Sequence, residues 1–97
     1  MASADDILGR VTPDDLVGDL VGPDDPLFGL VWINPARLSG APCFFGTRVP
    51  VKNLFDALGA GQTIAEFLDD FPGVEATQVA RILERASTLF SDRGTAA

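Results

Sequence analysis

The sequence predicts a mainly α domain: a trihelical helix-turn-helix unit preceded by a short β-ribbon and by an acidic, partly helical N-terminal arm. Three observations predict it. Apolar residues recur at helical spacing in three successive stretches between residues 51 and 90. A β-favouring run around Val31-Trp32-Ile33 and two short extended pieces lie ahead of them. Aspartates crowd the first thirty residues, where Asp5, Asp6, Asp14, Asp15, Asp19, Asp24 and Asp25 face Arg10 alone. The implied division is an arm over 1–26, a domain over 27–92 and a tail over 93–97.

The arm reads as two helical pieces. Ser3 caps a turn carrying Ile7, Leu8 and Val11. Thr12-Pro13-Asp14-Asp15 is a strong helix start, because the hydroxyl caps, proline fits the first turn and acids favour the positive end of the dipole. Leu16, Val17, Leu20 and Val21 then share one helical face, with Gly18 a weak point. Gly22-Pro23-Asp24-Asp25-Pro26 breaks the chain and predicts a hinge between arm and domain.

A strand is expected over Leu27–Ile33, ended by Asn34-Pro35. Cys43-Phe44-Phe45 and Arg48-Val49 flank Gly46-Thr47 as a small hairpin or paired ribbon. Gly40 and Gly46 are expected to serve backbone geometry through positive φ or close approach. Pro50 opens the first helix, whose face is Val51, Leu54, Phe55 and Leu58. Thr63 and Glu66 form a capping box for the second, with Ile64, Phe67, Leu68 and Phe71 on its core face. Val79, Ile82, Leu83, Ala86 and Phe90 carry the third.

Composition narrows the chemistry. The 97 residues suit one compact domain with an arm, and 46% hydrophobic with 22% charged residues is a globular balance. No run of about 18 apolar residues suggests a membrane span. The acidic start does not read as a signal peptide, so a cytoplasmic location is expected. There is no histidine and one cysteine, which removes Ser-His-Asp and Cys-His catalysis, disulfides and most transition-metal sites. Adjacent aspartates such as Asp69-Asp70 lack the alternation of a calcium loop. A binding protein without cofactor or metal is expected rather than an enzyme. The net charge of -7 opposes indiscriminate nucleic-acid binding, but most of it belongs to the arm.

The run Ser39-Gly40-Ala41-Pro42-Cys43-Phe44-Phe45-Gly46-Thr47-Arg48-Val49-Pro50-Val51 is distinctive. Together with Ile33-Asn34-Pro35 before it and Thr63-Ile64-Ala65-Glu66-Phe67-Leu68-Asp69-Asp70-Phe71-Pro72 after it, it resembles the small bacterial domain of unknown function 433 family over about residues 31–88. The resemblance implies a homeodomain-like helix-turn-helix fold behind a short β-ribbon. It also implies an antitoxin of a toxin–antitoxin pair that binds a small PIN-like nuclease and represses its own operon as a homodimer. The sequence departs from the pattern at Glu75, where relatives often carry Ser or Thr, and this predicts a weak start for the third helix.

Three sets of residues are candidates for contact. Gln78, Arg81, Arg85 and Thr88 form a polar stripe on the third helix, suited to DNA bases and phosphates, or simply a solvated face bordered by Glu84. Arg48 reads either as a contact to phosphate or to a partner's acid, or as an internal clamp onto Asp56, Asp69 or Asp70; Lys52 is a further phosphate or partner contact. In the arm, Leu16, Val17, Leu20 and Val21, flanked by Asp14 and Asp15, are candidates for a partner protein, a second copy or the chain's own domain. Cys43 is expected to be a small buried hydrophobe. The alternatives to an antitoxin are a stand-alone DNA-binding regulator and a homo-oligomerising structural module.

Overall fold

Two strands of two residues each, β1 (Val31–Trp32) and β2 (Cys43–Phe44), pair antiparallel, with Val31 opposite Phe44 and Trp32 opposite Cys43. They belong to a computed structural model that describes residues 11–94. The expected cap at Ser3 and the apolar residues Ile7 and Leu8 lie outside the described residues. Three helices follow: α1 (Val51–Gly59), α2 (Ile64–Asp70) and α3 (Ala76–Gly94). The fold is therefore small and mainly helical, with one short antiparallel sheet.

Both faces of the ribbon are covered, which follows from the two-residue alternation of a strand. Val31 and Phe44 face the helices and join Leu30, Leu54, Phe67, Val74, Val79 and Ile82 in the main core. Trp32, Cys43 and Phe45 face the other way and are met by Val11 and Leu16 of the arm. Phe44 and Phe67 pack with ring centroids 6.0 Å apart, and Phe67 and Phe71 at 4.9 Å. Burying a phenylalanine as fully as Phe67 contributes on the order of 2 kcal/mol.

Only part of the expected strand forms. Residues 27–30 turn, with the amides of Leu30 and Val31 both donating to the Leu27 carbonyl. The hairpin reading holds in a compressed form: the Phe44 amide donates to Val49, Cys43 bridges Pro50, and Gly46 turns the chain at φ 81. Gly40 adopts φ 85 and ends a turn in which Leu38 and Ser39 are also left-handed.

The arm is not the amphipathic helix that its pattern predicts. Among the arm's described residues a 3-10 turn spans Pro13–Leu16, with the Thr12 amide and hydroxyl both donating to the Asp15 carboxylate. Val17 is extended and Gly18 sits at φ 80, so the helical path stops there. Tertiary contacts override local propensity: the Leu20 amide donates to the Ile33 carbonyl, and the Asn34 side chain donates to the Val17 carbonyl at 2.8 Å. Across the breaker at 22–26, residues of the arm therefore bond back to residues 33–37. Residues 11–21 are laid onto the ribbon.

The helices start where their caps predict. The Thr63 hydroxyl accepts from the Glu66 amide at 3.1 Å, and the Glu66 carboxylate accepts from the Thr63 amide at 2.9 Å. The expected weak start of α3 is corrected by Gln78, whose side-chain oxygen accepts from the Glu75 amide at 2.9 Å, as a residue three places into a helix does in a capping box. Its amide group donates to the Phe45 carbonyl at 2.9 Å, tying α3 to the ribbon. Three positions expected on core faces are exposed instead: Phe55, Ile64 and Phe90.

Gln78→Leu leaves the Phe45 carbonyl and the Glu75 amide without their partners. It is expected to cost about 2 kcal/mol in urea unfolding, against under about 0.5 kcal/mol for an exposed control such as Ala80→Ser. The hydrogen bonds from Thr63 hold the Glu66 carboxyl below its ordinary pKa. The group thus contributes stability above the ordinary carboxylate range and loses it as pH falls through the lowered value. The gap in urea midpoint between wild type and Glu66→Ala should be present at neutral pH and close in acid.

Candidate functional site

Two surfaces carry the candidate residues. One lies over the ribbon, the other on the outer face of α3.

The first is a cleft of about 330 Å³ whose floor is Trp32 and whose sides include Arg37, Arg48, Thr47 and Asp15. Its geometry begins with Asn34. The Asn34 carboxamide accepts from the Ala36 amide, its carbonyl accepts from the Arg37 amide, and the resulting turn sends Arg37 back across the ribbon. The Arg37 guanidinium stacks on the Trp32 ring, 3.6 Å from its centroid. One guanidinium nitrogen meets the Asp19 carboxylate at 3.3 Å, and the other donates to the Asp15 carbonyl at 3.2 Å. The pair is shielded, with the Arg37 side chain 10% exposed and that of Asp19 2% exposed. The Trp32 indole N–H donates to the Thr47 carbonyl at 2.7 Å. Trp32, Arg37 and Asp19 thus join arm, ribbon and the Gly46-Thr47-Arg48 turn.

Arg48 stands at the rim of this cleft and is exposed. The internal clamp is corrected: none of Asp56, Asp69 and Asp70 pairs with it, and it makes no ion pair among the described residues. Asp56 pairs instead with Lys52 at 2.7 Å, four residues earlier on α1. Both side chains of that pair are largely exposed, so it contributes less than about 1 kcal/mol and leaves Lys52 on the surface. Cys43 is buried beneath, and burial pushes its thiol up despite the nearby Arg37 and Arg48. That places it on the inert side of thiol chemistry.

On the second surface the predicted stripe is incomplete. Arg81, Arg85 and Thr88 are exposed, but Gln78 is 2% exposed and occupied by its bonds to Phe45 and Glu75. It does not face a ligand. A shallow depression of about 320 Å³ is lined by Glu84, Arg85, Thr88 and Leu89. In the arm, Leu16 and Val21 are withdrawn into the chain's own packing, which corrects their assignment to a partner. Val17 and Leu20 remain 74% and 67% exposed, and Asp14 and Asp15 are also exposed.

The family described as Protein of unknown function (DUF433) matches residues 31–84. The chain belongs to the DUF433 family. The matched segment holds β1, β2, α1, α2 and the first half of α3, so in this DUF433 chain the arm that contributes Asp15 and Asp19 lies outside the match. No curated protein and no solved structure gave a match. Among the described residues no helix is long and apolar enough to cross a membrane, and no group of three acids or cysteine is arranged to hold a metal.

Sequence reasoning missed Trp32, Arg37 and Asp19 as a unit. Each lies in a different local context, and only the folded path of the arm brings Asp19 to Arg37. Arg37→Ala strands the buried Asp19 carboxylate. It is expected to cost about 3 kcal/mol in chemical unfolding and to shift Trp32 emission to longer wavelength as the ring opens to water.

Proposed function

We propose that this DUF433 chain is an antitoxin-like binding protein that neutralises a small PIN-like nuclease by covering it. The observation that carries the reading is the set of large apolar side chains left uncovered. Val17 and Leu20 in the arm and Leu89 and Phe90 on α3 are between 52% and 74% exposed, while Val21 and Ile82 are buried and Leu16 is half-buried. In the arm, the exposed Val17 and Leu20 follow the exposed acids Asp14 and Asp15, which suits a partner of basic character. In this reading the chain acts by binding, without a cofactor, as a homodimer in the cytoplasm. α2, the turn at 71–75 and α3 then serve as a homeodomain-like helix-turn-helix, with Arg81, Arg85 and Thr88 turned towards operator DNA.

Co-expression with the product of the neighbouring gene tests it. A stoichiometric complex and rescue of growth are expected, and Leu89→Asp with Phe90→Asp should weaken the complex at least about tenfold. Absence of both complex and rescue overturns the reading. If the chain alone binds its own upstream DNA and Arg81→Ala with Arg85→Ala abolishes that binding, the stand-alone regulator takes its place.

A further inference from the structure

We propose that the cleft over Trp32 is a carboxylate-binding site, in which Arg48 takes an aspartate or glutamate side chain presented by a protein partner. The inference rests on the reading that the chain binds a protein, and it names the contact.

The arginines of the cleft differ in state. Arg37 is held in place by the Trp32 ring, the Asp19 carboxylate and the Asp15 carbonyl, and its charge is neutralised by Asp19. Arg48 has no acid partner among the described residues and stands exposed beside it. An uncommitted guanidinium fork matches the two oxygens of a carboxylate. The turn that presents it is fixed, because Thr47 bonds both the Phe44 carbonyl and the Val49 amide through its hydroxyl. A ligand group therefore meets an arginine carried on a turn already in position.

The surroundings select among anions. Asp15 lines the same cleft, its carboxyl held below the ordinary range by the bonds from Thr12, and Asp14 is exposed next to it. A polyanion entering the cleft meets the Asp15 carboxylate at its side, and the whole chain carries -7. A single carboxylate set among basic side chains meets the opposite pattern: the acid faces Arg48 and its basic neighbours face Asp14 and Asp15. That favours a protein acid over a nucleic-acid backbone.

Trp32 is the sole tryptophan, so its emission reports on the cleft floor. The probes are the peptide acetyl-Lys-Lys-Glu-Lys-Lys-amide and its counterpart with Gln in place of Glu, titrated into the full chain. A saturable change in emission is expected, with the Glu peptide binding about fivefold more tightly than the Gln peptide. Arg48→Gln, a surface change whose folding is checked by circular dichroism, should erase that preference, and Arg48→Lys should keep part of it. Equal affinity for the two peptides, no saturable response, or a preference that survives in Arg48→Gln overturns the proposal. So does tighter saturation of the signal by inorganic phosphate or a short DNA duplex, which would assign the cleft to phosphate. Failure here leaves co-purification with the neighbouring gene product unaffected, so the two readings fail separately.

Discussion

A fold with strands of two residues cannot pair its backbone by ladder alone, and this constraint governs the molecule. Polar main-chain groups in a covered ribbon cost free energy when unpaired. Here side chains take the place of missing ladder partners. Asn34 serves the Val17 carbonyl and the Ala36 amide, Asp19 the Val21 amide, Gln78 the Phe45 carbonyl and the Glu75 amide, and Trp32 the Thr47 carbonyl. Among the described residues no buried side-chain polar atom is left without a partner. The buried polar residues Asn34, Arg37 and Gln78 are thus structural members of a small core. Their removal exposes unmet backbone groups as well as lost packing.

The same constraint explains what was legible in the sequence. α1 and α2 are governed by neighbours in the chain: a proline at the start, the Thr63–Glu66 box, an apolar face at helical spacing. Signals of that range placed both helices, although the same apolar spacing put Phe55 and Ile64 on core faces and both are exposed. The pattern misplaces Gln78, although a cue exists. It lies four residues before the buried Ile82, so it shares a side of the helix with the core as much as with Arg81. The arm failed for a different reason. Its cap at Thr12 is real, but the Val17 carbonyl and Leu20 amide bond to residues 33 and 34, and nothing within the arm's own sequence announces that. The Arg37–Asp19 pair, eighteen residues apart, is non-local in the same sense.

The ribbon's two covered faces divide the labour of the chain. One face builds the core with the helices; the other is closed by the arm, which brings its acids to the rim of the cleft. The family match covers both faces of the ribbon and leaves out the arm that closes the second. The turn Gly46-Thr47-Arg48 therefore lies inside the matched segment, while the nearby acids Asp14, Asp15 and Asp19 lie outside it. A partner recognised through the turn would be selected by the arm.

Charge acts differently on the two arginine-bearing surfaces. On α3, Arg81 and Arg85 are point contacts along an open face bordered by Glu84, and DNA affinity there would depend on summed attraction to many phosphates. A chain of net charge -7 works against that sum, and the loss of Gln78 from the stripe removes a side chain suited to adenine. In the cleft, the proposed recognition depends on one guanidinium meeting one carboxylate over a distance much shorter than a Debye length. Distant aspartates barely weaken such a contact, while nearby ones attract the basic surroundings of the acid it binds. An acidic protein can therefore use a single exposed arginine for protein recognition more readily than for nucleic acid, and Arg48 is placed for that use.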